Sequence, residues 1–255
     1  MLVPDWPDLP ASIGALATTR GGGFSAAPYD DGNGGGGLNL GLHVGDRADL
    51  VARNRAVVAA QLPGRPAWLA QVHGVAVVDA AALSEQPPVA DASIATQAGA
   101  VCTVMTADCL PVLFADLGGK VVGGAHAGWR GLAAGVLGET VRAMRAAGAG
   151  EITAWLGPAI GPTAFEVGED VRRAFVAALS SQQDAVLGAF VPFSGRPGKY
   201  LANMNALARL MLAEVDVTRV HGGTHCTVTE TDRFYSYRRD GVTGRQASLI
   251  WIKPN

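Results

Sequence analysis

Charged side chains are scarce in this 255-residue chain: Asp, Glu, Lys and Arg make up 16% of it, against roughly a quarter in an average soluble protein. A disordered chain needs high charge and low hydrophobicity, and here apolar residues reach 49%. Neither sign dominates, with a net charge of −2, so nothing draws the whole molecule to nucleic acid or anionic lipid. Cysteine is sparse too. Cys102, Cys109 and Cys226 are an odd set without a CxxC pair, which excludes a disulfide framework. No Lys or Arg precedes Arg20, so the basic region of a secretion signal is missing. A membrane span needs about 18 consecutive apolar residues. The best stretch, Ala92 to Ala107, carries Ser, Thr and Gln and runs into Asp108. These absences predict a soluble cytoplasmic protein with no membrane or nucleic-acid partner.

Glycine is what the chain has in excess: 34 residues, about twice the usual share. They cluster instead of recurring every third residue, so collagen is excluded. No linker and no repeat divides the sequence, which predicts one domain over 1–255.

Apolar patterning predicts strands at Ile13 to Thr19, Ala67 to Ala70, Val75 to Val78, Val101 to Met105, Pro111 to Ala115, Lys120 to Gly124 and Ile152 to Leu156. Phe234 to Tyr237 and Ala247 to Ile252 read as the last two. Helices are expected at Asp46 to Leu62 (stopped by Pro63-Gly64), Trp129 to Ala147, Val167 to Leu179 and Leu201 to Val215. This order is not a regular βαβ alternation, so the expectation is an α+β fold, a mixed sheet with helices on its outer faces.

Gly32 to Gly37 (GNGGGG) has the spacing of a dinucleotide fingerprint. It follows Asp30-Asp31 rather than a strand and opens no helix, so residues 30–37 read as a flexible inserted loop. GxxxxGK[ST], HExxH and GxSxG are all absent. Reactive side chains concentrate instead in Gln71-Val72-His73-Gly74, Thr106-Ala107-Asp108-Cys109-Leu110-Pro111 and Gly124-Ala125-His126-Ala127-Gly128-Trp129-Arg130-Gly131. Taken singly, a histidine or a cysteine is most often structural. Cys109, however, lies at a break between two apolar strands, and His126 ends a third. Two imidazoles and a thiolate from separate strand ends can make a three-ligand site with an open fourth position, the pattern of catalytic rather than structural zinc.

QVHG, TADCLPVLFAD, HAGWRGL, LGPAIGP, FEVG and FYSYRRDGVTGRQASLIW together resemble the YfiH-type family. It is also called laccase-domain or multicopper polyphenol oxidase-like and has been labelled a peptidoglycan editing factor. The resemblance runs from Thr18-Thr19-Arg20 to the C-terminus. It implies a cytoplasmic zinc enzyme acting on purine nucleosides by phosphorolysis of adenosine, inosine and guanosine, cleavage of methylthioadenosine, and adenosine deamination. It also implies His73, Cys109 and His126 as zinc ligands, and a three-layer α-β-α fold similar to toxin deamidases with a Cys-His pair. One departure is a longer Asp30 to Gly37 stretch before Leu38-Asn39-Leu40-Gly41.

The oxidase name can be tested by counting. A blue-copper site plus a trinuclear cluster needs many histidines in His-x-His pairs, whereas this chain has five and no such pair. Copper could occupy the single site in vitro, because Cu²⁺ generally binds more tightly than Zn²⁺, but a laccase as the main function is not expected.

Phosphorolysis needs an anion beside a developing ribose cation. Arg130, at the start of a predicted helix, and Arg20, beside Gly21 to Gly23, are the candidate phosphate contacts. Each has a surface ion pair as its alternative. Deamination needs metal-activated water and an acid/base partner, for which Asp108 is the first choice and a turn-capping carboxylate the alternative. Asn39 and His43 are candidates to read ribose or base, or else to stabilise a turn. Cys226-Thr227 and Arg238 match the family without an evident role. Two other readings stay open: a thiol hydrolase with Cys109 as nucleophile and His126 as base, and a non-catalytic factor that binds cell-wall precursors.

Overall fold

The computed structural model describes residues 1–82 and 86–254. Two mixed sheets form its centre. The six-stranded sheet runs Arg219–Gly222, Ile152–Leu156, Leu110–Asp116, Val122–Ala127, Ala92–Ala95 and Val77–Asp79, with parallel pairing at both edges and antiparallel pairing between. The four-stranded sheet runs Ile13–Ala17, Gln246–Ile252, Val101–Thr106 and Pro66–Ala67. A small sheet of Glu166–Gly168, Lys199–Ala202 and Phe190–Pro192 lies beside them.

Strand Leu110–Asp116 shows why the layers form. All seven residues are buried, as a strand covered on both faces requires. Leu110, Val112 and Phe114 point to the helices, while Leu113 and Ala115 meet Cys102, Val122, Trp155 and Ile250 between the two sheets. Helix Ala48–Ala59 covers the outer face of the four-stranded sheet through Val58 against Val101, Met105 and Leu249. Helices Val136–Ala146 and Met204–Ala213 cover the other outer face through Leu137, Val141, Met144, Leu207 and Leu212. The α-β-α order is therefore present, and its β layer is two sheets packed face to face.

Three local expectations change. The helix expected over Trp129 to Ala147 is two, Trp129–Ala133 and Val136–Ala146, separated by Gly135 at φ +97°, a conformation glycine adopts without a Cβ clash. Phe234 to Tyr237 is not a strand. The Gln246 side chain accepts from Tyr235 N (2.9 Å) and donates to Tyr235 O (3.2 Å), standing in for a ladder partner. Helix Tyr237–Asp240 follows, capped by the Ser236 side chain. The loop over 30–37 is an organised turn rather than an idle linker: Asp31 Oδ1 accepts from Asn33 N and Gly35 N, both at 2.8 Å. The Ala92 to Ala107 stretch becomes two strands, and no helix among the described residues is long and apolar enough to cross a membrane.

Candidate active site

Both links that carry candidate ligands cross from one sheet to the other. Residues 68–76 join Pro66–Ala67 to Val77–Asp79, and residues 107–109 join Val101–Thr106 to Leu110–Asp116. His126 lies near the end of Val122–Ala127, paired with Pro111 across the ladder. The crossings therefore bring His73, Cys109 and His126 to one end of the two sheets, where their ligand atoms lie within 4.8 Å of one another. The Cys109 Sγ to His73 Nε2 distance is 3.6 Å, and the imidazole centroids are 4.7 Å apart. His73 (φ +62°) and Asp108 (φ +89°) both adopt left-handed backbone, which costs a non-glycine residue free energy and persists only where the surroundings hold it.

What holds His73 is a carboxylate that sequence reasoning missed. Asp91, fully buried, accepts from Val72 N (3.1 Å), His73 N (2.8 Å) and Gly74 N (2.7 Å). Its Oδ1 also meets His126 Nδ1 at 2.8 Å. One side chain thus fixes the His73 loop and orients the His126 ring so that Nε2 faces the triad. Gln71 pins the same loop from the other side, exchanging two hydrogen bonds with the Met105 backbone (2.7 and 2.9 Å). The one signal for Asp91 was an acid in the apolar run Pro88-Val89-Ala90-Asp91-Ala92. Gly128 supplies the room. A Cβ there would lie 2.5 Å from His73 Cδ2 and 3.1 Å from Cys109 Sγ.

Burial alone would push the Cys109 thiol up, but hydrogen bonds and charge from His126 and His73 outweigh it and bring it down to about 6. For His126 burial works downward, and Asp91 and Cys109 together overcome it, raising the imidazole to about 9. Burial likewise opposes ionisation of Asp91, and His126 with the Gly74 and Val72 amides holds its carboxyl below the usual range.

The triad opens on a cavity of about 670 Å³, within the size range of small-molecule sites. Leu42, Trp68, Met105 and Tyr237 give it apolar surface, and His43, Arg55 and Arg245 line it too. Among the described residues no Asp or Glu does. Thr106 also lines it, with a hydroxyl that meets no hydrogen-bond partner among the described residues.

Of the remaining candidates, His43 alone reaches the cavity. Asp108 does not line it. Its Oδ1 accepts from Thr227 Oγ1 (2.6 Å) and its Oδ2 from Arg238 N (2.6 Å). The carboxylate is therefore engaged in holding the Cys109 turn, as the turn-capping alternative has it, and Thr227 and Arg238 are its partners. Arg20 is buried and spends its guanidinium on Asp30 O (3.1 and 3.2 Å) and Thr231 O (2.8 Å). It clamps the 30–37 loop and does not line the cavity. Asn39 is fully buried, with bonds to Gly41, Asp46 and Arg245 N, so it builds a turn instead of reading ligand. Arg130 is exposed, stacked on its own Trp129 ring at 4.5 Å, and is absent from the cavity wall. His221 and His225 are engaged by Asp8 (2.8 Å) and Glu230 (3.1 Å).

Residues 14–253 match the family model described as multi-copper polyphenol oxidoreductase laccase. A Pseudomonas aeruginosa protein called purine nucleoside phosphorylase is 52% identical over 252 residues, covering 99% of this chain and 98% of that one. Purine nucleoside phosphorylase YfiH of Escherichia coli is 50% identical over 254 residues, with 99% and 98% covered. A solved Neisseria meningitidis protein superposes with a TM-score of 0.90 at 48% identity over 99% of each chain. YlmD from Geobacillus stearothermophilus gives 0.85 at 30% identity over 97% and 94%. The chain belongs to this laccase-like, YfiH-type family.

Proposed function

We propose that the protein is a zinc-dependent purine nucleoside phosphorylase for adenosine, inosine, guanosine and methylthioadenosine, with adenosine deamination as a second activity. The observation that carries this reading is the joining of a His-Cys-His cluster to a nucleoside-sized cavity that holds two arginines and no carboxylate among the described residues. The names of the relatives at about half identity support its phosphorylase part.

His73, Cys109 and His126 hold the zinc in this reading. Two imidazoles and a thiol brought down to about 6 suit the ion's preference for N and S donors, and three protein ligands leave a fourth position for reaction. When bound, zinc supplies Lewis-acid polarisation and lowers the pKa of water. Copper suits the same donors in vitro. Asp91 orients His126, while Trp68, Leu42 and Met105 give the purine an apolar surface. In phosphorolysis a phosphate oxygen bonds to ribose C1′ as the C1′–N9 bond breaks. The electron pair leaves on the purine, which takes up one proton, giving free base and ribose 1-phosphate. In deamination water adds at C6 and ammonia leaves.

The test is to give metal-loaded protein inosine and phosphate and follow hypoxanthine and ribose 1-phosphate. Stoichiometric appearance of both supports the reading, and release of neither sinks it. Adenosine without phosphate should yield inosine and ammonia. A second reading rests on the Asp91–His126–Cys109 row, which also suits a thiol nucleophile with its base and orienting acid. Chelation separates the two, since a thiol hydrolase keeps its activity without metal.

A further inference from the structure

We infer that Arg55 and Arg245 form an oxyanion subsite in this cavity, and that its occupant is the inorganic phosphate consumed in the reaction proposed above. The inference rests on that proposal for the identity of the anion, but not for the subsite itself.

Both arginines line the same cavity as the triad. Both residues are half-buried, and among the described residues neither has a carboxylate within ion-pair distance. Elsewhere the chain pairs half-buried arginines with acids. Arg172 has Glu169 at 2.7 Å and Arg233 has Glu230 at 2.7 Å. A half-buried cation without a paired anion carries a desolvation cost that carbonyl and aromatic contacts offset only in part. That cost shows as a guanidinium pushed down to about 10 at Arg55 and also pushed down at Arg245. An arriving oxyanion would offset it for both.

The protein sets the position of each group before any ligand arrives. Arg55 Nε donates to Leu40 O at 3.0 Å, and its guanidinium lies 4.0 Å over the Trp68 ring. Arg245 donates from Nη1 to Thr243 O (3.2 Å) and Gly244 O (3.0 Å). Its backbone N donates to Asn39 Oδ1 (2.9 Å), and its carbonyl accepts from Leu40 N (3.0 Å). The Asn39–Gly41 segment therefore brackets both arginines. Gly41 lets it approach, since a Cβ there would meet Arg245 Cγ at 2.8 Å. Among the described residues, Arg55 Nη1 and Nη2, the latter donating to Met105 Sδ at 3.9 Å, and Nε and Nη2 of Arg245 are left without an oxygen acceptor. Forked, preorganised N–H donors of this kind match a tetrahedral oxyanion, which they can contact in pairs. A phosphate held there would share one cavity with the triad and with the nucleoside of the proposed reaction. The same donors would fit the phosphate of a nucleoside monophosphate, so the two sources must be separated.

Calorimetry with inorganic phosphate on metal-loaded protein reads the subsite without turnover. Phosphate should bind, and Arg55→Met and Arg245→Met should each weaken it by about 10-fold or more. Arg55→Lys and Arg245→Lys keep the charge and guard against a fold defect. They should lose several-fold because the fork is gone. Phosphate KM should rise in step, with inosine KM and metal content nearly unchanged. Phosphate binding that is indifferent to all four variants overturns the subsite. Tight inosine 5′-monophosphate binding that phosphate does not displace overturns the phosphate assignment. Should phosphate bind as described while no nucleoside is cleaved, the subsite stands and the phosphorylase reading falls.

Discussion

Two groups of side chains in the cavity wall, the triad and the arginine pair, are built on opposite electrostatic plans. At the triad every charge has a partner: Asp91 is buried against three amides and His126, and Cys109 against two imidazoles. At the arginine pair two cations are held by carbonyls and an aromatic ring and, among the described residues, have no carboxylate within ion-pair distance. A closed network fixes geometry, as metal ligands require. An open one leaves charge to be met by something from outside. The contrast teaches that the first group should fail through misplacement and the second through lost attraction.

The largest effect should come from Gly128→Ala. The added Cβ would sit 2.5 Å from the His73 ring, and displacing a reactive group by an ångström costs about 100-fold in rate. Bound metal, read by elemental analysis, should fall well below one per chain while circular dichroism stays unchanged. Full metal content and full activity would break the account of the triad.

Asp91→Asn follows. It keeps one acceptor but loses the charge that favours His126 with Nε2 toward the triad, so zinc affinity should drop about 10- to 100-fold. The Co²⁺ absorption spectrum of the variant should shift, a change that loss of stability alone would not produce. In metal-free protein, stability should also become less sensitive to acid. The folded-state carboxyl of Asp91 lies below the usual range, so its contribution is complete above the ordinary carboxylate pKa and vanishes as pH falls through the depressed one. Thermal melts of both proteins between neutral and acid pH would check the sign.

How much of each group was legible in sequence follows from the same contrast. His73, Cys109 and His126 each sit where an apolar strand breaks, so a local pattern marks them. Most strands around them were legible as apolar runs, but such a run does not say which of two sheets it joins, so the doubled β layer was hidden. Arg55 was hidden because Arg53 and Arg55 share one helix, and only contacts with Leu40 and Trp68 distinguish the second. Asp108 misled for the converse reason. An acid beside a cysteine looks catalytic until Thr227 and Arg238, far along the chain, are seen to occupy it. For Asn39 the sequence left a ligand contact and a turn both open, and only its bond to the distant Arg245 N shows the segment it joins.

His43 shares the cavity wall with the arginine pair and should make anion binding depend on pH. Burial, then Arg245 and Arg55, hold the His43 imidazole below its ordinary value, so it is neutral at pH 7. Arg55, Arg245 and Tyr237 line the cavity with it, as do His73, Cys109 and His126. An anion bound beside it raises its pKa, so binding takes up a proton and strengthens as pH falls. Sulfate, whose charge is constant, should bind several-fold more tightly at about pH 6 than at about pH 8. Its affinity in His43→Gln should be flat over that range, with metal content followed in parallel. A wild-type profile that is also flat would remove His43 from the anion subsite.

The smallest expected effect gives the sharpest comparison between the two groups, because it asks what a positive charge is worth when it stands outside the cavity. Arg130 begins a helix directly after the His126 strand, and by sequence it is the nearer arginine to the triad. Its guanidinium is exposed and stacked on Trp129, away from the cavity wall. In solvent of high dielectric, and screened by salt over about 8 Å at physiological ionic strength, such a charge contributes little to an anion bound elsewhere. Arg130→Met should therefore change phosphate KM by less than about twofold, against about 10-fold for Arg55→Met. Steady-state kinetics at low and high salt would decide it. A loss of 10-fold or more at both would mean that the short helix, and not the bracketed pair, faces the phosphate.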